Sequence, residues 1–382
     1  MHMTFKGWAA IVVTIAAAGA AHAGGFSRGT ANTDILYEDG RVVLQGGSTY
    51  VTPSRAYETV SGHSVSDGSM TGSYWVPGLA VKIGINDASS CALTYTEPYG
   101  ASLETGAQTQ RAQLLAGRDG SIASHLRSDE YGATCALKLP AGPGNLVLIG
   151  GVFLQSIDYK DQSLLGTLHL GDDEAYGYRL GAAYEIPDYA LRAQILYRSA
   201  VDHEGDGTFT ASPLAAARYG VPAGYTAFAH GGGTLPQSLE ISLRSGIAED
   251  WLAFGSVKWT DWSVLPSLDY VVTGFGPQHR DFNFRDGWTI QGGLAHSFTE
   301  KLAGLVSLTW DRGVSTGADV LTDTWTLGAG AQLKTDIGNF QIGAGLSYMT
   351  AGMQGIARGA TLDATVGGDW GLGVTTSYSI KF

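Results

Sequence analysis

The sequence predicts an all-β fold, a transmembrane antiparallel β-barrel of about 14 strands with an N-terminal plug in its lumen. Three observations carry this. Segment 369–382 alternates almost without error: Trp370, Leu372, Val374, Tyr378, Ile380 and Phe382 lie on one face and Asp369, Gly371, Gly373, Ser377, Ser379 and Lys381 on the other. A strand greasy on one side and wet on the other, closing the chain on a terminal Phe, separates lipid from lumen. Mean hydropathy is +0.02, yet no run past the leader reaches the ~20 apolar residues of a spanning helix. Period-2 segments recur along the whole chain, joined alternately by tight turns and long connections, the asymmetry of short periplasmic turns and longer outer loops.

The elements follow in order. Lys6, the apolar run Trp8 to Ala18 and the small-residue site Ala21-His22-Ala23 read as a signal peptide over 1–23, with Gly24 the first mature residue. Residues 24–40 are small, polar and glycine-rich. A barrel of this size encloses more space than wall side chains fill, so the segment is expected to fold back as a plug, with a periplasmic tail as the alternative.

Residues 41–382 form the barrel. Its strands are expected near 41–60, 73–84, 90–102, 125–141, 144–160, 174–186, 189–209, 235–247, 250–265, 284–298, 302–313, 324–335, 338–352 and 366–382. Pro140 to Gly144, Pro187-Asp188, Ala248 to Asp250, Thr299 to Lys301 and Asp336 to Asn339 supply tight turns. Long connections lie near 61–72, 103–124, 161–173, 210–234, 266–283, 314–323 and 353–365. Trp251, Trp259, Trp262, Trp310 and Trp370 sit near strand ends and are assigned to interfacial girdles. An even strand count brings both ends of the barrel to the periplasmic side.

Composition narrows the function. A formal charge of −12 and a pI near 5.1 argue against a nucleic-acid partner, which needs a basic face. The only cysteines, Cys91 and Cys135, exclude a disulfide-rich scaffold and a multi-cysteine zinc site. They fall on neighbouring strands near the periplasmic end, where one bridge and two free thiols are both open. No metal and no cofactor is expected. Gly is 55 of 382 residues while Pro is only 11, which suits close strand packing and bending walls rather than a low-complexity chain.

Candidate ligand contacts come from three places. Phe26, Ile35 and Leu36 are the apolar residues of the plug. Two outer connections are unusually greasy, one with Leu164, Leu165, Leu168 and Leu170, the other with Leu214, Tyr219, Val221, Tyr225 and Phe228. Such residues either pack loop on loop or present a patch to a hydrophobic ligand. By alternation Arg179, Arg192, Arg198, Arg244 and Lys258 face the lumen. Of these Arg179, Arg198 and Arg244 are candidate partners for a carboxylate head group, unless lumen acids such as Glu185 and Glu240 take them.

From Leu235 onward the chain resembles the FadL-type family of outer-membrane long-chain fatty acid and hydrocarbon transporters. Leu235-Pro236 opens a strand with Ser238, Glu240 and Ser242; its partner runs from Trp251 to Trp259-Thr260-Asp261-Trp262-Ser263. Asp286 to Gly293, Leu308-Thr309-Trp310-Asp311 and Gly345 to Met349 follow in the family's order. Before residue 235 the likeness rests on strand count and on Gly24-Gly25-Phe26. The plug departs from the pattern, with Tyr37-Glu38-Asp39-Gly40 where the family commonly shows Tyr-Asn-Pro-Ala-Gly.

The resemblance implies passive uptake of hydrophobic molecules, foremost long-chain fatty acids. Capture at outer loops, a plug-gated lumen pocket and lateral exit through the wall would follow one another. Pro77 and Pro98, which offer no strand donor, are the candidate breaks for that exit. The expected location is the bacterial outer membrane, with membrane lipids and lipopolysaccharide as neighbours. No coiled-coil heptad appears, so a monomer is expected. A small aromatic hydrocarbon channel and a general diffusion porin are the alternatives; an adhesin would bind surfaces without uptake. An enzyme is not expected, since the 9 histidines, among them His63 and His230 in expected loops, form no catalytic motif.

Overall fold

The computed structural model describes residues 24–117 and 120–382; the signal peptide expected over 1–23 lies outside them. One sheet of 19 hydrogen-bonded segments closes on itself, because Val42–Pro53 pairs with both Tyr74–Asn86 and Asp369–Lys381. Nine segments are unbroken strands, and the other ten are halves of five interrupted ones. The result is a closed antiparallel barrel of fourteen strands.

The strands in order are Val42–Pro53, Tyr74–Asn86, Ser89–Thr96 with Gly100–Glu104, Ser121–Ala141, Gly144–Ser163, Gly166–Ile186, and Leu191–Arg198 with Val201–Ala211. Next come Thr226–Leu235 with Ser238–Ala248, Trp251–Thr260 with Ser267–Val272, Gly276–Asp281 with Gly287–Ser297, Leu302–Asp311, Thr324–Lys334, Gly338–Met349 and Asp369–Lys381. Every expected strand is present. Alternation also assigns the faces: Tyr176, Tyr178 and Leu180 are exposed to the outside, while Arg179 and Ala183 are buried inside.

Several connections that read as loops are strand. Gly166–Ile186 begins at the turn after Ser163, and Thr226–Leu235 and the hairpin Ser267–Val272 with Gly276–Asp281 continue the wall upward. The fourth, fifth and sixth strands are 21, 20 and 21 residues long, about twice the 9–11 residues that cross a bilayer. Here the faces trade character. Leu168, Leu170, Ala229 and Val272 are buried inside, while His169, His230 and His279 pair with Asp158, Asp206 and Asp269 outside. Two further short strands of the first connection, Tyr57–Val60 and His63–Ser64, join Gly352–Gln354 and Ala364–Val366 in a small sheet at the mouth.

One girdle assignment changes. Trp251 and Trp370 are exposed on the outer face, but Trp262 is fully buried and packs inward with Tyr99, Leu265, Phe284 and Val314. It lies in the break between Trp251–Thr260 and Ser267–Val272, where the chain leaves the ladder and alternation no longer fixes direction.

Cys91 and Cys135 are register partners on the third and fourth strands and are joined as a disulfide.

Candidate functional site

Residues 24–40 run from mid-lumen down to the periplasmic rim, and their contacts reach opposite walls. At the upper end Phe26 meets Trp262, Phe282 and Phe284 edge-on with centroids 5.5–5.7 Å apart. Gly25 is required there: its φ is +60°, and a Cβ would stand 2.4 Å from the Trp262 ring. Lower down, Asn32 donates to Gln45, Tyr37 donates to Gln194 at 2.6 Å, and Arg192 donates to Asp34 at 2.8 Å. At the base Ile35 and Leu36 are buried against Val43, Ala80, Ala92, Ala136, Val147, Ile149 and Ala183. These come from the first six strands. Lys82 donates to the Glu38 carbonyl and Lys381 pairs with its carboxylate.

The wall opens where the prolines stand. Pairing of the second and third strands stops at Gly78↔Thr96, and Tyr74 to Pro77 face no third-strand partner. Pairing resumes above, at the bridge Thr71↔Leu103. Residues 26–29 occupy the window. Arg28 and Gly29 donate their backbone N–H groups to Pro98 and Glu97 carbonyls at 2.8 and 2.9 Å, and Gly100 donates to the Phe26 carbonyl at 2.8 Å. A Cβ on Gly29 would lie 2.4 Å from Thr96 on one strand and 2.8 Å from Val76 on the other, so the segment spans the gap edge to edge. A second lapse, between Arg198↔Arg179 and Asp206↔Gly171 of the sixth and seventh strands, is packed from inside by Phe153, Ala175 and Val201.

Two cavities flank residues 24–40. The outer one, about 810 Å³, has Phe26 and Arg28 in its floor and outer-strand and loop residues above, among them Leu165, Leu168, Leu170, Tyr219, Phe275 and Leu362. That is within the range of roughly 300–1,000 Å³ that ligand pockets occupy. The inner one, about 500 Å³, is lined by residues 27–34 with the charged groups Glu130, Arg179, Arg198, Glu240, Arg244 and Lys258.

The sequence-derived contacts therefore divide. Phe26, Leu165, Leu168 and Tyr219 share the outer cavity. Leu164, Leu214, Tyr225 and Phe228 do not line it; Leu214 and Phe228 are exposed to the outside, and Tyr225 leans on Phe275. Ile35 and Leu36 are core at the base. Arg179, Arg198 and Arg244 do face the lumen, in the inner cavity. Neither Glu185 nor Glu240 holds them: Arg179 and Arg198 both donate to Glu130, which is 1% exposed. Sequence reading missed Glu130, Tyr99 and Arg28. Alternation does place Glu130 on an inward face, but nothing local distinguishes it from a solvated acid.

Two arginines of the outer cavity are tied to several acceptors, while Gln113 Oε1, Asp319 Oδ2 and Thr324 Oγ1 are buried without a partner. Arg280 donates to Ser121, Tyr159 and Asp161. Arg55, 4% exposed, donates to Thr322, to Asp369 and to the carbonyls of Val320, Thr350 and Gly367. Asp319, in the loop after the eleventh strand, accepts from the Leu321 backbone; burial pushes its carboxyl up to about 6.

A closed fourteen-stranded barrel with a lipid-facing apolar band and an apolar chamber inside defines a bacterial outer-membrane transporter. The chain belongs to the family described as Outer membrane protein transport protein (OMPP1/FadL/TodX), whose model matches residues 13–305. A long-chain fatty acid transport protein of Escherichia coli O6:H1 (strain CFT073) is 24% identical over 307 residues, 71% of this chain and 68% of that one. Its counterpart in Salmonella typhi is 25% identical over 311 residues, with the same coverage. Among solved structures, a Pseudomonas aeruginosa FadL homologue superposes with a TM-score of 0.74 at 15% identity, covering 92% of this chain and 93% of that one. The P. putida toluene transporter TodX gives 0.65 at 15% identity, with the same coverage.

Proposed function

We propose that this protein takes up long-chain fatty acids passively. One observation carries the reading: an apolar chamber facing the outer loops has the plug as its floor, and the same plug residues fill a break in the wall. A hydrophobic molecule enters between the outer hairpins and settles in the chamber against Phe26. It leaves sideways when residues 26–29 withdraw from the window beside Pro77 and Pro98. The gap between the sixth and seventh strands is a poorer exit, since Phe153 and Val201 seal it from within. Lateral release keeps the tail out of water, because the window opens at the level of the lipid-facing band. The molecule's own gradient drives the passage. The two curated relatives, both long-chain fatty acid transport proteins, support the substrate class.

A small aromatic hydrocarbon is the second reading, favoured by the ring cluster of Phe26, Trp262, Phe282 and Phe284. The test is uptake of labelled oleate by bacteria lacking their own fatty acid transporter, with the barrel expressed and its insertion verified. Saturable uptake is expected. Its absence, with labelled toluene entering instead, would establish the second reading.

A further inference from the structure

The outer cavity holds an acid that no cation balances. Asp319 lines it from the loop after the eleventh strand; one carboxylate oxygen accepts from the Leu321 backbone at 2.8 Å, and the other, Oδ2, is buried without a partner. Among the described residues no ion pair reaches it. Arg55 and Arg280, which line the same cavity, pair with Asp369 and Asp161. Arg358, beside the loop, donates to the Thr316 carbonyl and lies outside the lining. Arg28 is in the floor, stacked over the Tyr74 ring. The Asp319 carboxyl, pushed up to about 6 by burial, is still ionised at pH 7.5. A buried charge is costly until an opposite charge completes it.

A second orphan lines the same space. Gln113, on the helix Ala107–Leu115 of the second outer connection, is 2% exposed and leaves its Oε1 unpartnered. Tyr57 links it to the acid: its ring packs with Ala112 on Val60, Leu362 and Ala364, and its hydroxyl, already given to Gln354, feels the Asp319 charge. Both orphans are acceptors. An alkylammonium group supplies three N–H donors, a positive charge and no acceptor, whereas a carboxylate would be repelled and a hydroxyl brings one neutral donor. We propose that the outer cavity binds lipophilic primary amines, with the ammonium on Asp319 and Gln113 and the alkyl chain along Leu165, Leu168 and Leu170. Such amines are a class of cargo beyond acids and hydrocarbons, held by the loops of the mouth. Their binding stands whether or not oleate enters.

Equilibrium binding of radiolabelled dodecylamine and of radiolabelled dodecanol to the purified full barrel, in non-ionic detergent at pH 7.5, tests this, with Asp319→Asn and Gln113→Leu beside the wild type. The quantity read is the ratio of the two affinities, since burial of the chain is common to both. The wild type should favour the amine by about ten- to a hundredfold, the scale of a charge-assisted bond. Asp319→Asn should bring the ratio to near unity, and Gln113→Leu should lower it severalfold. On the wild type alone, dodecylamine should slow proteolysis within 312–323 and dodecanol should not. A wild-type ratio near unity, an unchanged ratio in Asp319→Asn, or equal protection by the two probes overturns the amine site while leaving uptake of acids and hydrocarbons standing. Failure of the wild type to bind either probe overturns the cavity as a hydrophobic site altogether.

Discussion

Arg198 and Glu130 form a buried pair across the lumen, Nη2 to Oε2 at 2.8 Å, and Glu130 takes Arg179 on its other oxygen. The second arm of Arg198 donates to the Tyr99 hydroxyl at 3.1 Å, and Tyr99 in turn donates to the Pro236 carbonyl. Tyr99 belongs to the kink at Pro98. The acid of the fourth strand thus holds the edge of the wall window through an arginine of the seventh.

Removing that acid leaves two buried guanidinium groups facing each other. Glu130→Gln should destabilise the barrel by about 3–5 kcal/mol, the cost of breaking a buried pair from one side. Chemical denaturation in lipid vesicles measures this, and Arg198→Met in the same background should recover part of the loss.

Arg55 ties the first outer connection to the loops after the eleventh and thirteenth strands through five acceptors. Arg55→Met should leave the transmembrane band intact and loosen the mouth. Limited proteolysis is expected to cut within 312–323 and 350–368 at least tenfold faster than in the wild type, with unchanged cleavage at the periplasmic turns.

Asp319 makes the mouth pH-sensitive. Its folded value of about 6 lies above its ordinary 3.8, so the folded loop holds the proton more tightly than the open one. Loop stability is therefore greatest below pH 4 and falls as pH rises through 6, by roughly 1–3 kcal/mol at most. Proteolysis of this loop at pH 5 and pH 8 should show the difference, and Asp319→Asn should remove it.

Deleting residues 26–37 removes the strip in the window and the Ile35 and Leu36 packing at the base. Single-channel conductance in planar bilayers should rise severalfold. No rise would refute the assignment of this segment as a plug.

The bridge between Cys91 and Cys135 closes a loop of 44 residues, for which chain entropy gives at most about 4 kcal/mol. Unfolded, unreduced protein should titrate no thiols, and two after reduction. The double Cys→Ser variant should fold in the same topology with a lower denaturation midpoint.

The strand count was legible because lipid and lumen impose opposite demands on successive residues, as Tyr176, Tyr178 and Leu180 against Arg179 show. Above the bilayer that rule turns over, because water is outside and the apolar chamber inside. Leu168 and Leu170 therefore read as a greasy loop when they are inward strand positions, with His169 outward between them. At Trp262 the ladder lapses and no periodicity remains to assign a face. Glu130 and Arg28 were hidden for another reason: whether a charged residue has a partner is decided by strands far away in sequence.

The reversal of the wall above the membrane bears on the sugar layer outside the cell. Lipopolysaccharide excludes greasy molecules by its charge and hydration. In the proposed uptake, a wall that is polar outside and oily inside would act as a wick through such a coat. Under the uptake proposed above, a hydrocarbon tail would leave water before it reaches the bilayer, descend along Leu168, Leu170 and Phe26, and join the lipid without returning to an aqueous phase. The barrier such a molecule meets would then be set by the shape of the tube rather than by the thickness of the coat.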